Sequence, residues 1–141
     1  MSFDNSQNRE ISNVAALKVP PHSVDAEQAV LGGLMLDNTE WDNLADVLLP
    51  EDFYRPEHQI IFRVMSQQSE ANSPIDVVTL VESLNSLNEL ESAGGVEYLS
   101  ELTDNARGTA NIHAYAEIIR ERAILRRLIS VANGIANSGY N

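Results

Sequence analysis

The chain has 141 residues, 43% of them hydrophobic and 21% charged, with no cysteine and a net charge of −12. That length and balance fit one globular domain, not a disordered or fibrous chain, and the lack of cysteine excludes a disulfide scaffold, a thiolate metal site and a thiol nucleophile. The longest apolar run, Ala29 to Leu36, carries two glycines and falls far short of the ~18 residues that a membrane span needs. Residues 1–19 are polar, without a basic stretch leading into an apolar core, and are expected to form a flexible tail and not a secretory signal. Pro20-Pro21 opens the folded part. Ser23 is a good N-cap, Asp25 and Glu27 suit the first turn of a helix, and Val30, Leu31, Leu34 and Met35 follow at helical spacing. Gly32-Gly33 inside that helix costs roughly 1 kcal/mol per glycine, which predicts close approach by another backbone. The helix is expected to stop near Asp37-Asn38 and to restart at Thr39, with Asp42 in a capping-box position and Trp41, Leu44, Ala45 and Leu48 apolar. Pro50 ends or redirects that segment, and Phe53-Tyr54 form an aromatic plug. Pro56 begins a helix through His58, Ile61, Phe62 and Met65. Asp76 caps the next, with Val77, Leu80, Val81, Leu84 and Leu87 on one face. Gly94-Gly95 breaks the chain before a short helix with Val96, Leu99 and Leu102. One helix then runs from about Ala110 to Asn137, closed by Gly139. No segment alternates apolar and polar residues over any length, so the class is all-α: a compact helical domain over 20–109, then one long helix over 110–139.

The charge is unevenly spread. Residues 20–105 hold seventeen acids against Arg55 and Arg63, whereas residues 106–141 hold five arginines against Glu117 and Glu121. The acidic stretch repels a phosphate backbone, because nucleic-acid affinity depends on cations displacing condensed counterions. A partner with a basic surface suits it better, although an acidic surface also serves plain solubility. Single-stranded DNA is therefore expected to bind weakly. Fluorescence anisotropy with a labelled oligonucleotide checks this, and a submicromolar Kd at about 0.15 M salt contradicts it.

Catalytic motifs are absent. The single lysine, Lys18, is remote from both glycine pairs, so no phosphate-binding loop can be built. His22, His58 and His113 sit in separate elements outside any zinc-type spacing. His58 reads as a helix-face imidazole bonded to a local acid or carbonyl, with general-base duty the weaker reading. Acid pairs such as Glu51/Asp52 and Glu101/Asp104 are the coincidences of an acid-rich chain. The expectation is a chain with no catalytic, cofactor or metal residues and no enzymatic activity of its own.

The long helix is more informative. At about 100° per residue, Ile112, Tyr115, Ala116, Ile119 and Ala123 share one side of its first half. Ile124, Leu125, Leu128, Ile129, Val131, Ala132, Ile135 and Ala136 form a stripe about 170° round. Two apolar faces on one helix call for two partners. The first is assigned to the chain's own domain. The second, with Ile124, Leu125, Leu128, Ile129, Ala132 and Ile135, is assigned to self-association or to a further helix. Arg120, Arg122, Arg126 and Arg127 form the one basic cluster. It can balance the domain's own acids, make contacts between subunits, or touch nucleic acid, the last a weak signal without interleaved aromatics.

The blocks VPPHSVDAEQAVLGGLML at 19–36, DFYRPEHQIIF at 52–62, SPIDVVTLVESL at 73–84, GGVEYLSEL at 94–102 and NIHAYAEIIRERAILRRLISVANGIA at 111–136, in this order, resemble the amino-terminal domain of bacterial replicative DNA helicases of the DnaB type. The resemblance covers about residues 18–139. It implies a parent protein that is a cytoplasmic hexamer at the replication fork, unwinding DNA 5′ to 3′ with ATP and magnesium. The motor of that parent is a RecA-like domain absent from these residues, and DNA is gripped there. The segment itself is then the helical collar, packed as a trimer of dimers, which contacts primase and on which helicase loaders act. Its long helix is the first arm of a helical hairpin that mediates dimer contacts. The rival reading is a stand-alone acidic helical adaptor without a motor. A small hydrolase using His58 is a third and weaker one.

Overall fold

The computed structural model describes residues 19–106 and 111–140. The expected tail and the residues just before the long helix lie largely outside them. The described residues form six α-helices and two 3-10 turns, and no strand occurs among them. Ser23 starts α1 (Val24–Leu36), its hydroxyl accepting the Ala26 N–H at 3.2 Å. Asp37 ends α1 and at once caps a 3-10 turn, Asn38–Glu40.

This corrects the expected restart at Thr39. The Asp37 carboxylate takes both the Thr39 N–H and its hydroxyl, so Thr39 lies inside a turn and makes no capping box. The following α2 (Trp41–Ala45) is only five residues long. A second 3-10 turn, Pro50–Asp52, leads into α3 (Pro56–Glu70). Asp76 caps α4 (Val77–Ser86), accepting from the Thr79 N–H at 2.8 Å. Gly94 and Gly95 take φ of 103° and 83°, values that favour glycine, and from there α5 (Gly95–Ala106) departs.

The longest element, α6 (Ile112–Tyr140), has 29 residues, about 43 Å at 1.5 Å per residue. It runs through Gly139 instead of closing there. Among the described glycines positive φ is confined to Gly94 and Gly95, so Gly139 stays helical and supplies no left-handed cap.

Helix α1 is central, packed between α5 on one side and α6 on another. The closeness of α1 and α5 is set by Gly32. A Cβ there would stand 2.1 Å from the Leu102 carbonyl oxygen and 2.7 Å from the Ala106 Cβ. The glycine expected to admit another backbone does so. Leu31, Leu34, Leu44, Phe53, Ile61, Phe62, Met65, Leu80, Leu84 and Leu99 fill the core at 1% exposure or less. Trp41 and Phe53 flank Phe62 at ring-centroid distances of 5.2 and 5.0 Å, and these few aromatics join α2, α3 and the second 3-10 turn. The Asn38 amide fastens the loop before α4 by pairing with both backbone groups of Ile75, at 2.6 and 2.7 Å.

Candidate functional site

The two halves of α6 differ sharply. Ala116, Ile119 and Ala123 are buried at 3% exposure or less, while Ile112, Tyr115 and Ile118 are half-buried against the core. Among the described side chains of α6, Ala123 is the last that is buried. Beyond it Ile124, Leu125, Leu128, Ile129, Val131 and Ile135 are 38–68% exposed, and Ala132 and Ala136 are exposed as well. All six residues assigned to self-association therefore lie on one uncovered face of an extended helix. The stripe is contiguous and apolar, and in the single chain nothing covers it.

Four arginines surround the point where burial ends. Arg120 donates to the Val47 carbonyl at 2.8 Å. Arg126 forks to two carbonyls, Pro21 at 2.8 Å and Asp52 at 2.6 Å, and its guanidinium carbon sits 5.6 Å from the Tyr54 ring centre. Tyr54 in turn stacks on His22 at 4.1 Å. Arg127 pairs with Asp52 at 2.6 Å, and Asp52 is buried while Arg127 is mostly exposed. Arg122 contacts its exposed neighbour Glu121 at 3.2 Å. Three of the four arginines thus hold their own domain, because carbonyls of the entry segment and of the 46–52 loop face this flank of α6.

His58 occupies the other polar centre, and it is buried. Its Nδ1 lies 2.7 Å from Glu27 Oε1, and its Nε2 lies 2.6 Å from the Tyr98 hydroxyl, which also accepts from the Gln28 amide at 3.1 Å. The Glu27 carboxylate additionally accepts the backbone N–H groups of Tyr54 at 2.8 Å and Arg55 at 3.3 Å. Burial pushes the Tyr98 phenol above its ordinary pKa, against the opposing effect of the Gln28 hydrogen bond. Tyr98 therefore stays protonated and donates to His58 Nε2, while His58 Nδ1–H donates to Glu27. One neutral imidazole tautomer satisfies both contacts. The network ties α1, α3 and α5 together, and Glu27 caps the start of α3, whose own N-cap Arg55 supplies no side-chain cap. The imidazole is enclosed and fully engaged, as a bonded histidine, but its partners are not the local acid or carbonyl expected: Glu27 is 31 residues away and Tyr98 is 40.

Sequence reasoning missed Glu27 and Asp52. Glu27 was read as a first-turn acid facing the helix dipole, yet it is 1% exposed. Its spacing of three, four and seven residues from Val30, Leu31 and Leu34 places it on the buried face, a signal present in the sequence. Asp52, also 1% exposed, accepts the Leu49 N–H at 2.9 Å and meets an arginine 75 residues away. Such a pairing has no local signature. Among the described residues no group of three or more His, Asp or Glu side chains is arranged to hold a metal ion, and no helix is long and apolar enough to cross a membrane.

Residues 19–121 match the model of the DnaB-like helicase N-terminal domain. The replicative DNA helicase DnaB of Haemophilus influenzae is 48% identical over 127 residues, which are 90% of this chain and 27% of that protein. The replicative helicase DnaC of Bacillus subtilis is 41% identical over 87% of this chain. The N-terminal domain of the Mycobacterium tuberculosis DnaB helicase superposes with a TM-score of 0.83 at 35% identity, covering 87% of this chain and 89% of that one. The corresponding domain from Helicobacter pylori, described together with its interactions with primase, gives 0.69 at 27% identity, covering 82% and 90%. The chain spans about a quarter of the length of the curated relatives it matches. The packing of α1 between α5 and α6, the apolar outer half of α6 and these likenesses agree: the chain belongs to the DnaB-like helicase N-terminal domain family.

Proposed function

We propose that this chain is the non-catalytic assembly and docking domain of a hexameric replicative DNA helicase. On this reading the ATP- and magnesium-dependent motor, which grips and unwinds DNA in the bacterial cytoplasm, belongs to a further domain of the parent protein. The domain organises subunits, as dimers within a ring, and offers its acidic globular face to primase and to a helicase loader. The observation that carries the reading is the uncovered stripe on the outer half of α6, with six large aliphatic side chains at 38–68% exposure. Support for a primase contact comes from the family likeness, since the Helicobacter pylori neighbour is described together with its interactions with primase. The surplus of acids over residues 20–105 favours a partner whose docking surface is basic.

A double substitution tests the assembly role. Each large aliphatic side chain fully buried in an interface contributes about 1.5–3 kcal/mol before entropy costs. Leu125→Asp with Ile129→Asp is expected to abolish self-association in sedimentation velocity. Helicity and the melting of the globular part should change little, because both side chains lie beyond Ala123. If the double variant unfolds outright, the outer half belongs to the core of its own domain. If it associates as the wild type does, the stripe is not the interface.

A further inference from the structure

The seam by which α6 sits on α1 is narrow. Its fully buried side chains are Ala116, Ile119 and Ala123, two of them alanines. Small side chains in line give close approach but little resistance to rolling of one helix on another. Roll matters here, because the exposed stripe lies about 170° from that seam at about 100° per residue, and any rotation of α6 re-aims it.

Arg120, bonded to the Val47 carbonyl, opposes such rotation within the seam, and two more side chains oppose it at the outer end. By the same arithmetic Arg126 lies about 50° to one side of the seam and Arg127 about 50° to the other. Arg126 reaches Pro21 O and Asp52 O at 2.8 and 2.6 Å and rests 5.6 Å from the Tyr54 ring centre. Arg127 meets the buried Asp52 carboxylate at 2.6 Å. The Asp52 residue is itself fixed by the Leu49 N–H at 2.9 Å. Both arginines come after Ala123, so they are the outermost ties between α6 and the globular unit that the structure shows. A guanidinium suits the task because its planar fork addresses two carbonyls at once and its face stacks on an aromatic ring.

We infer that Arg126 is a positioning residue for assembly. Braced between the entry segment at Pro21 and the turn at Asp52, it fixes the roll and tilt with which the outer half of α6 leaves the domain, and hence where the apolar stripe points. Arg127 braces the opposite flank. The inference rests on the self-association reading above and adds that the stripe must be aimed as well as exposed.

The experiment uses the full chain, which has no native cysteine. Cysteines are placed at the exposed positions Asn85 and Asn133 and labelled with nitroxides. Labelled chains are diluted into unlabelled ones, and pulsed EPR then reads the intramolecular distance distribution. Sedimentation velocity on the unlabelled variants reads association, and circular dichroism confirms the fold. The wild-type background should give one narrow distribution. Arg126→Ala is expected to broaden or shift it and to weaken self-association about tenfold or more, with the stripe itself unaltered. Arg126→Lys keeps the charge and the stem but carries its donors on one nitrogen instead of two and has no planar face to lay on Tyr54. It is expected to restore neither readout, and it serves as the second variant should the alanine form fold poorly. An unchanged distribution, or a changed distribution with wild-type association, overturns the inference. So does full rescue by lysine. If Leu125→Asp with Ile129→Asp leaves association intact, the assembly reading fails by itself. If that double variant dissociates while Arg126→Ala and Arg126→Lys change nothing, only the positioning role fails.

Discussion

Removing either partner of the buried Glu27–His58 pair should be the most damaging single change in this domain. Both side chains are at 1% exposure or less and 2.7 Å apart. His58→Ala leaves the buried Glu27 carboxylate without its imidazole donor, and Glu27→Ala leaves the imidazole N–H without its acceptor. At about 1–3 kcal/mol for each buried group left unsatisfied, and more for a charged one, either change costs about 3–5 kcal/mol. Glu27→Ala also strips the acceptor from the Tyr54 and Arg55 N–H groups at the start of α3. For a domain of this size the cost corresponds to a fall of roughly 12–20 °C in Tm. Tyr98→Phe removes only the hydroxyl that donates to His58 Nε2 and accepts from Gln28. It should cost less, about 1–3 kcal/mol for the unsatisfied groups left behind. Thermal melting of the three variants checks both the size and the order. A Glu27→Ala domain that melts within a degree or two of wild type would show that the network contributes nothing to stability.

Gly32 and Gly134 should respond in opposite directions to the same substitution. Both are helical, and alanine is intrinsically favoured in a helix by about 0.5–1 kcal/mol. At Gly134 a Cβ meets no atom within 4 Å, so Gly134→Ala is expected to gain that amount and to raise helicity slightly. At Gly32 the Cβ would enter the space of the Leu102 carbonyl oxygen. That obstacle is backbone and cannot swing aside, so α1 and α5 must separate along their contact. The overpacking cost of about 1–3 kcal/mol, or more, outweighs the helical gain. Gly33 lies between these cases. Its nearest obstacle is the Ile112 Cδ1 at 2.9 Å, the far end of a side chain that can adopt another rotamer. Denaturant melts of the three alanine variants should rank Gly134 above wild type, Gly33 near it and Gly32 well below. A Gly32→Ala domain as stable as the wild type would mean that α1 and α5 are not held at this distance.

Much of this was legible in the sequence because it depends on local rules. Helical periodicity with Ser23 and Asp76 as caps placed α1 and α4, and Gly94-Gly95 marked the break before α5. The paired glycines of α1 announced a close backbone approach, which Gly32 makes, whereas Gly33 meets the Ile112 side chain. Two apolar faces on α6 announced that its halves have different surroundings, which the buried Ala116, Ile119 and Ala123 and the exposed Leu128 and Ile135 display. The ordered sequence blocks pointed to the family. Each of these signals rests on residues within a few turns of one another, where spacing alone fixes which side chains share a face.

What the tertiary structure decided is the long-range polar bonding. Asp37 serves the turn after α1, so the segment at Thr39 became a 3-10 turn and a five-residue helix. Gly139 stayed helical. Glu27 caps a helix that begins 29 residues later, and Asp52 holds an arginine 75 residues on. A carboxylate shows the same letter in a sequence whether it faces water or a distant guanidinium. Its role is set by which donors the packed apolar core brings within about 3 Å, and that proximity exists only once α1, α3, α5 and α6 have been drawn together by burial.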